Sequence, residues 1–376
     1  MFQTNIKLSL RNLRKNLLTT TLNVAGLATG IAVCLFIGVW VQRELSYDKF
    51  HPDAERIFRV TNTFTSESES FSQAPSAPAL GAQLPKELPE IEAACRFYDS
   101  SDRLSFGDRR FFENEILMVD SNFLQFFNFP IVKGNPADAL SGRDKIVLSE
   151  SIARKYFGEA DPIGQIIQFA EDKMMVSAVA ADPPVNSQIQ FTALVPISYL
   201  HHVAETQWGG FKVDDEWLGG WMNTFIRLRN PVEWKTAERH VNQVVEKHAK
   251  KGWEENKMRY EYHLQPMRSI HLHSHLRYDV PSNGSMARVW IFSAVGLIVL
   301  LLACINYMNL ATAGALKRAK ETGVRKVVGA SRGELVRQFL TDSITVTVLA
   351  TVLGVALFQL FLPAFSTLTG QPYSLD

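Results

Sequence analysis

Three long apolar runs without a single charge interrupt an otherwise mixed pattern. Leu22 to Val41 reads LNVAGLATGIAVCLFIGVWV, twenty residues. At 1.5 Å per residue such a helix is about 30 Å long, the thickness of a hydrocarbon core. A second run covers Val289 to Leu310 and a third Ile344 to Phe365. All three are predicted as transmembrane helices. The first is not read as a cleaved signal: it outruns a signal core, and Trp40-Val41-Gln42-Arg43-Glu44 offers no small-x-small site. Before it, Phe2, Ile6, Leu10, Leu13 and Leu17 recur at helical spacing, with Lys7, Arg11, Arg14 and Lys15 on the other side. That is the pattern of a helix lying in the cytoplasmic headgroup layer.

Between the first two runs the period keeps changing. Arg56 to Phe64, Arg110 to Val119, Lys145 to Leu148, Gln165 to Phe169, Lys173 to Ala180 and Arg259 to Leu272 read as strands. Ala77 to Leu88, Ser121 to Phe127 and Ser151 to Phe157 read as helices, the last capped by Ser149. Asp161 to Gly164 is a turn, and Pro231 opens a long helix to about Lys251. The sum is an α+β domain, expected to divide into two lobes. Residues 185 to 225, rich in Trp, Gly and aromatics, lack a period and are read as an insertion or loop whose aromatics form a satellite core, with an exposed ligand surface as the alternative.

Charge sets the direction. Lys7, Arg11, Arg14 and Lys15 precede the first span. Lys317, Arg318, Lys320, Arg325, Lys326, Arg332 and Arg337 separate the second from the third. By the positive-inside rule both flanks are cytoplasmic and the middle lies outside, with Trp40 and Trp290 at the same outer interface. The expected layout is an amphipathic helix over 1–21, spans over 22–42, 289–310 and 344–365, and an extracytoplasmic domain over 43–288. A cytoplasmic stalk and coupling helix over 311–343 and an outer tail over 366–376 complete it. The near-neutral formal charge of +1 argues against a nucleic-acid partner. Cys95 is the one cysteine outside the apolar runs, so the middle domain must fold on its core without an internal disulfide.

Candidate chemistry is sparse. No G-x-x-x-x-G-K-[ST], H-E-x-x-H or C-x-x-C occurs. No catalytic residue, metal site or cofactor is expected on the chain, and ATP would have to be bound by a partner. The uncharged spans disfavour ion coupling. His271, His273 and His275 would share one face of a strand, but such histidines are more often solvated than metal-bound. Gly26 and Gly30 form G-x-x-x-G, with Cys34 and Gly38 continuing the row, a pattern that lets helix backbones approach. In the cytoplasmic stretch Gly323 allows a bend, Val324 to Val328 forms a short basic and apolar helix, and Gly329-Ala330-Ser331 ends it. Ser331 with Glu334 is a capping box for the next helix.

The stretch Glu321-Thr-Gly-Val-Arg-Lys-Val-Val-Gly-Ala-Ser-Arg resembles the coupling-helix signature of FtsX-domain permeases, the MacB/LolC/LolE class of ABC transporter. Ile146-Val-Leu-Ser-Glu-Ser-Ile-Ala-Arg-Lys-Tyr-Phe-Gly, with Asp161-Pro-Ile-Gly, and the opening Leu8-Ser-Leu-Arg-Asn-Leu-Arg-Lys-Asn resemble the same family. The resemblance implies a multi-pass inner-membrane permease that docks a cytoplasmic ABC ATPase and pairs with a second copy or a second FtsX-type half. It implies a mechanical stroke passed to the outer domain for export or extraction, with room for a periplasmic or outer-membrane partner. Glu321, Gly323, Arg325, Lys326, Gly329, Ala330 and Ser331 would form the ATPase contact. The family has a fourth span that this sequence does not reach, so the chain is expected to be the first part of a longer protein. The competing expectation is a regulator that relays ATPase state to an outer hydrolase.

Overall fold

The computed structural model describes residues 17–279, 283–317, 323, 324, 327, 331–371 and 373. The chain forms two units, one of Ser46–Ser285 and one of Met1–Leu45 with Met286–Asp376. The amphipathic helix expected before Leu17 falls outside the described residues.

The second of these units holds three long helices: α1 (Leu17–Glu44), α8 (Met286–Lys317) and α9 (Arg332–Thr369). All are long and apolar enough to cross a membrane. At 1.5 Å per residue the 38 residues of α9 reach about 57 Å, nearly twice a hydrocarbon core. Its polar first turns, with Arg332, Glu334, Arg337 and Asp342, account for most of the excess. Threonine is tolerated in these helices because its hydroxyl is satisfied locally. Thr29, Thr345 and Thr351 each donate to the carbonyl four residues back. Both α8 and α9 pack on α1.

The other unit is built on one eleven-stranded sheet. The strands are β1 (Ile57–Ser66), β2 (Ser70–Gln73), β3 (Ile91–Phe106), β4 (Arg109–Val119), β5 (Ile131–Gly134) and β6 (Lys145–Ser149). They continue with β7 (Ile166–Phe169), β8 (Asp172–Ala180), β9 (Ala193–Pro196), β10 (Asn223–Leu228) and β11 (Met258–Pro266). Their order is β11-β1-β10-β3-β4-β9-β6-β8-β5, with β2 on β1 and β7 joining β3 to β8. Because β7 makes that junction, the pairings close a ring: β3, β4, β9, β6, β8, β7 and back to β3. Leu104, Ile116, Leu148, Ile167, Phe169 and Val176 from this ring share one core with α4 (Glu150–Phe157) and α5 (Ile197–Thr206).

At the other end of the sheet, Phe58, Val60, Ile226 and Leu264 pack under α2 (Ala79–Glu87) and α6 (Trp234–Asn256). A third core, rich in phenylalanine, gathers around α3 (Phe123–Phe126) and includes Phe97, Phe127, Phe191 and Phe225. The two lobes expected are not separate units: Ser46–Ser285 is one unit in which a single sheet carries all three cores.

Residues 185 to 225 are not an insertion. They supply β9, a strand paired parallel with β4 and antiparallel with β6, then α5 and the first residues of β10. A strand buried on both faces shows no alternation, and β9 is only four residues, all buried. The aromatics expected there as a satellite are instead shared between two main cores: Phe211 and Trp221 pack against the ring core, Trp208 meets Trp221 edge-on at 6.2 Å, and Trp217 packs against the core under α2 and α6. The strand expected over Arg259 to Leu272 stops at Pro266, whose missing N–H ends the ladder. A 3-10 turn and the short helix α7 (Ile270–His273) follow.

Candidate functional site

The candidate machinery has three parts: a seam between helices, the start of α9, and a buried polar network in the sheet unit.

Along the seam, α1 presents small residues to α8. A Cβ on Gly26 would come within 3.3 Å of Asn306 Nδ2, and one on Gly30 within 2.7 Å of Ala303 Cβ. Cys34 donates from Sγ to the Gly296 carbonyl at 3.3 Å. The spacing 26, 30, 34 thus meets 306, 303, 296 in antiparallel order, which is what a small-x-x-x-small row permits. Gly38 does not join this row: a Cβ there would meet nothing within 4 Å. Two residues on, a large side chain takes over the contact, and Trp40 packs edge-on against Phe292 at 4.9 Å. The opposite seam has the small residues on α9. A Cβ on Gly354 would sit 2.9 Å from the Ala28 carbonyl, and Ala350, one turn earlier, is fully buried.

Of the seven residues proposed for docking, Glu321, Arg325, Lys326, Gly329 and Ala330 lie outside the described residues. Gly323 is helical and exposed. Ser331 is the N-cap of α9: its Oγ accepts from the Glu334 N–H at 3.3 Å, and its own N–H donates to Glu334 Oε2 at 3.0 Å. Gly329 to Gly333 also spells the G-x-S-x-G of a hydrolase elbow. Such a serine needs a free hydroxyl on a strand-to-helix turn, whereas the Ser331 hydroxyl is engaged in a helix cap.

The buried network links segments far apart in sequence. Arg59, on β1 and fully buried, donates from Nη1 to Asp279 Oδ1 at 2.6 Å and from Nη2 to Gln265 Oε1 at 2.8 Å and Ser274 Oγ at 2.9 Å. Gln265 is its cross-strand partner on β11. Asn283 donates to Asp279 Oδ2 at 2.7 Å and accepts from Gln188 Nε2 at 3.0 Å. The Gln188 N–H donates to Asp48 Oδ1 at 2.9 Å, and Asn186 holds the Ser46 hydroxyl at 2.9 Å. Tyr47 stacks on His271 with ring centroids 3.4 Å apart. Burial pushes the Asp279 carboxyl up, but hydrogen bonds from Arg59, then Ser274 and Asn283, outweigh it and hold the group below its ordinary value. A carboxyl held low in the fold adds stability above its unfolded value of about 3.9 and loses it as pH falls through the folded one.

The three histidines near this network do not converge. His271 is buried against Tyr47 while His273 is exposed, because the segment turns as a helix and strand alternation does not apply. Among the described residues no group of three metal-ligating side chains comes together. Arg59 is not among the candidates that the sequence suggests. The available signal was a lone arginine inside the apolar run Ile57-Phe58-Arg59-Val60, since a charge in a strand buried on both faces must be paired.

Residues 20–244 match the family of MacB-like periplasmic core domains, and residues 293–376 match the FtsX-like permease C-terminal domain. Among curated proteins, the chain is 21% identical over 262 residues to the macrolide export ATP-binding/permease protein MacB of Mannheimia succiniciproducens, covering 69% of this chain and 37% of that protein. It is 24% identical over 245 residues to the pyoverdine export ATP-binding/permease protein PvdT of Pseudomonas savastanoi pv. phaseolicola, covering 63% and 34%. The chain therefore spans little more than a third of these relatives. A solved domain ascribed to a permease protein of Porphyromonas gingivalis superposes with TM-score 0.52 at 19% identity, covering 65% of this chain and 99% of that domain. At that identity the likeness speaks to the fold.

Proposed function

The chain belongs to the MacB/FtsX-type family of ABC transporter permeases, inner-membrane proteins with an extracytoplasmic domain, and from that premise we propose that it is the membrane part of an ATP-driven export or extraction machine. In this reading its N-terminus is cytoplasmic, residues 43–288 lie outside, and residues 311–343 form the cytoplasmic stalk and coupling helix. A cytoplasmic ABC ATPase binds the ATP and docks on Glu321, Gly323, Arg325, Lys326, Gly329, Ala330 and Ser331. A second copy, or a second FtsX-type half, completes the membrane assembly. The two relatives carry export in their names, one of a macrolide and one of pyoverdine, which favours a small-molecule cargo.

One observation carries the mechanism. Helix α9 starts at a capping box immediately after the docking segment and runs unbroken for 38 residues into the third apolar stretch. A helix with a capped, hydrogen-bonded first turn passes a push at that end along its axis with little fraying. The ATPase stroke is thereby delivered to a span, and the seam of Gly26, Gly30 and Cys34 passes it from α1 to α8 through backbone-close contacts.

The test is the double charge reversal Arg325→Glu with Lys326→Glu in the full-length protein. Co-purification of the ATPase from membranes should be lost while membrane insertion is retained. Undiminished co-purification removes the docking assignment.

A further inference from the structure

The polar network lies wholly inside the Ser46–Ser285 unit, yet at two of its ends it reaches residues next to the long helices in sequence. Ser46 follows Glu44, the last residue of α1, by two positions, and Asn283 precedes Met286, the first of α8, by three. A loop that only had to stay folded could be held by apolar packing at lower cost, since a buried ion pair gains little net stability over well-packed apolar groups. Here the pair is buried and saturated. Arg59 is 0% exposed, the Asp279 side chain 6%, and both carboxylate oxygens of Asp279 are engaged. Directional bonds of this kind fix the distance and angle between the groups they join.

We propose that Asp48, Gln188, Asn283, Asp279 and Arg59 form a mechanical joint that obliges the turn at Asp48 and the stretch holding Asp279 and Asn283 to move as one body with strand β1. The route is continuous: Asp48 to the Gln188 backbone, Gln188 to Asn283 through side chains, Asn283 to Asp279, and Asp279 to Arg59. Arg59 passes it to the sheet twice, through its own backbone in β1 and through Gln265 in β11. Asp48 sits in a turn at φ +55°, a conformation that Asp tolerates better than most residues. These are positioning residues: they hold nothing that reacts, and within the Ser46–Ser285 unit they tie residues 46–51, 271–279 and 283 to the sheet. The inference rests on the permease reading for its purpose, but its geometry stands without it.

Hydrogen exchange followed by mass spectrometry on the full-length protein in lipid nanodiscs with its ATPase tests the joint. Without nucleotide, the amides of 46–51 and 271–279 should open in wild type as one cooperative unit. Tyr47→Ala alone, which removes the direct stack on His271, should leave one shared rate, whereas Tyr47→Ala with Asn283→Ala, which also cuts the route but spares the Arg59–Asp279 pair, should give two separate rates. Gln188→Ala in place of Asn283→Ala cuts the same route on the other side and serves if the first double variant does not accumulate. A single shared rate in the double variant overturns the joint. With a non-hydrolysable ATP analogue, the connector 323–331 and both segments should respond together in wild type, and the concerted response should be lost in the double variant. Were the connector silent in wild type, the docking assignment would fail, while the nucleotide-free comparison would still decide the joint.

Discussion

At the scale of the residue, neighbours decide what a side chain does more than its type. Gly30 and Gly38 lie on the same fourfold row, yet only Gly30 is pressed against a partner, with Ala303 2.7 Å from where its Cβ would be. Contacts that close force something to move, so Gly30→Val should part α1 from α8 and lower the unfolding temperature in detergent, whereas Gly38→Ala should leave it unchanged. Equal effects of the two substitutions in a thermal melt would contradict the seam. Arg59 and Asp279 show the same dependence from the polar side. Each would be costly alone in an apolar core, and removing one partner of such a pair typically costs about 3–5 kcal/mol because the other charge stays buried.

At the scale of the element, the ends matter most. Ser331 and Glu334 satisfy two of the N–H groups that every helix start leaves open. Ser331→Ala removes one of those bonds and should cost about 1 kcal/mol at this end. Amides in the first turn of α9 should then exchange several-fold faster while those beyond Thr345 keep their rates. Unchanged exchange in the first turn would deny the cap its role in stiffening the helix. Among the strands, legibility followed exposure. β1, β4 and β8 carry enough apolar residues in sequence to be read as strands. β3, the longest at 16 residues, does not stand out in the sequence because Asp99, Ser100, Ser101, Asp102 and Arg103 sit in its middle. That stretch is paired with β4 on one side, which a single strand's sequence does not reveal.

At the scale of the whole molecule, the orientation assigned to the chain makes a direct forecast. In intact cells a cysteine at Trp217, in a variant whose other cysteines are replaced, should react with a membrane-impermeant thiol reagent added from outside. Val327→Cys in the connector should react only after the membrane is opened. Labelling of position 217 solely in opened cells would invert the topology and take the docking proposal with it. The same arrangement explains why so much apolar surface stays uncovered on α8 and α9, where Ile298, Leu302, Val352 and Leu360 are all more than half exposed. In water this would be an aggregation hazard, whereas in a bilayer it is the solvated face.

What the sequence determined by itself was set by solvent. Three uncharged runs long enough to cross a bilayer, basic flanks and a helix cap are each local patterns, because hydrocarbon thickness and unsatisfied amides act on consecutive residues. What only the tertiary structure decided was pairing: the ring that β7 closes, the central place of β9, and the partners of Arg59, Asp279 and Asn283, up to 220 positions apart in the chain. A charge or a short buried strand announces in sequence that it needs a partner, but the partner is chosen by geometry that no neighbouring residue encodes.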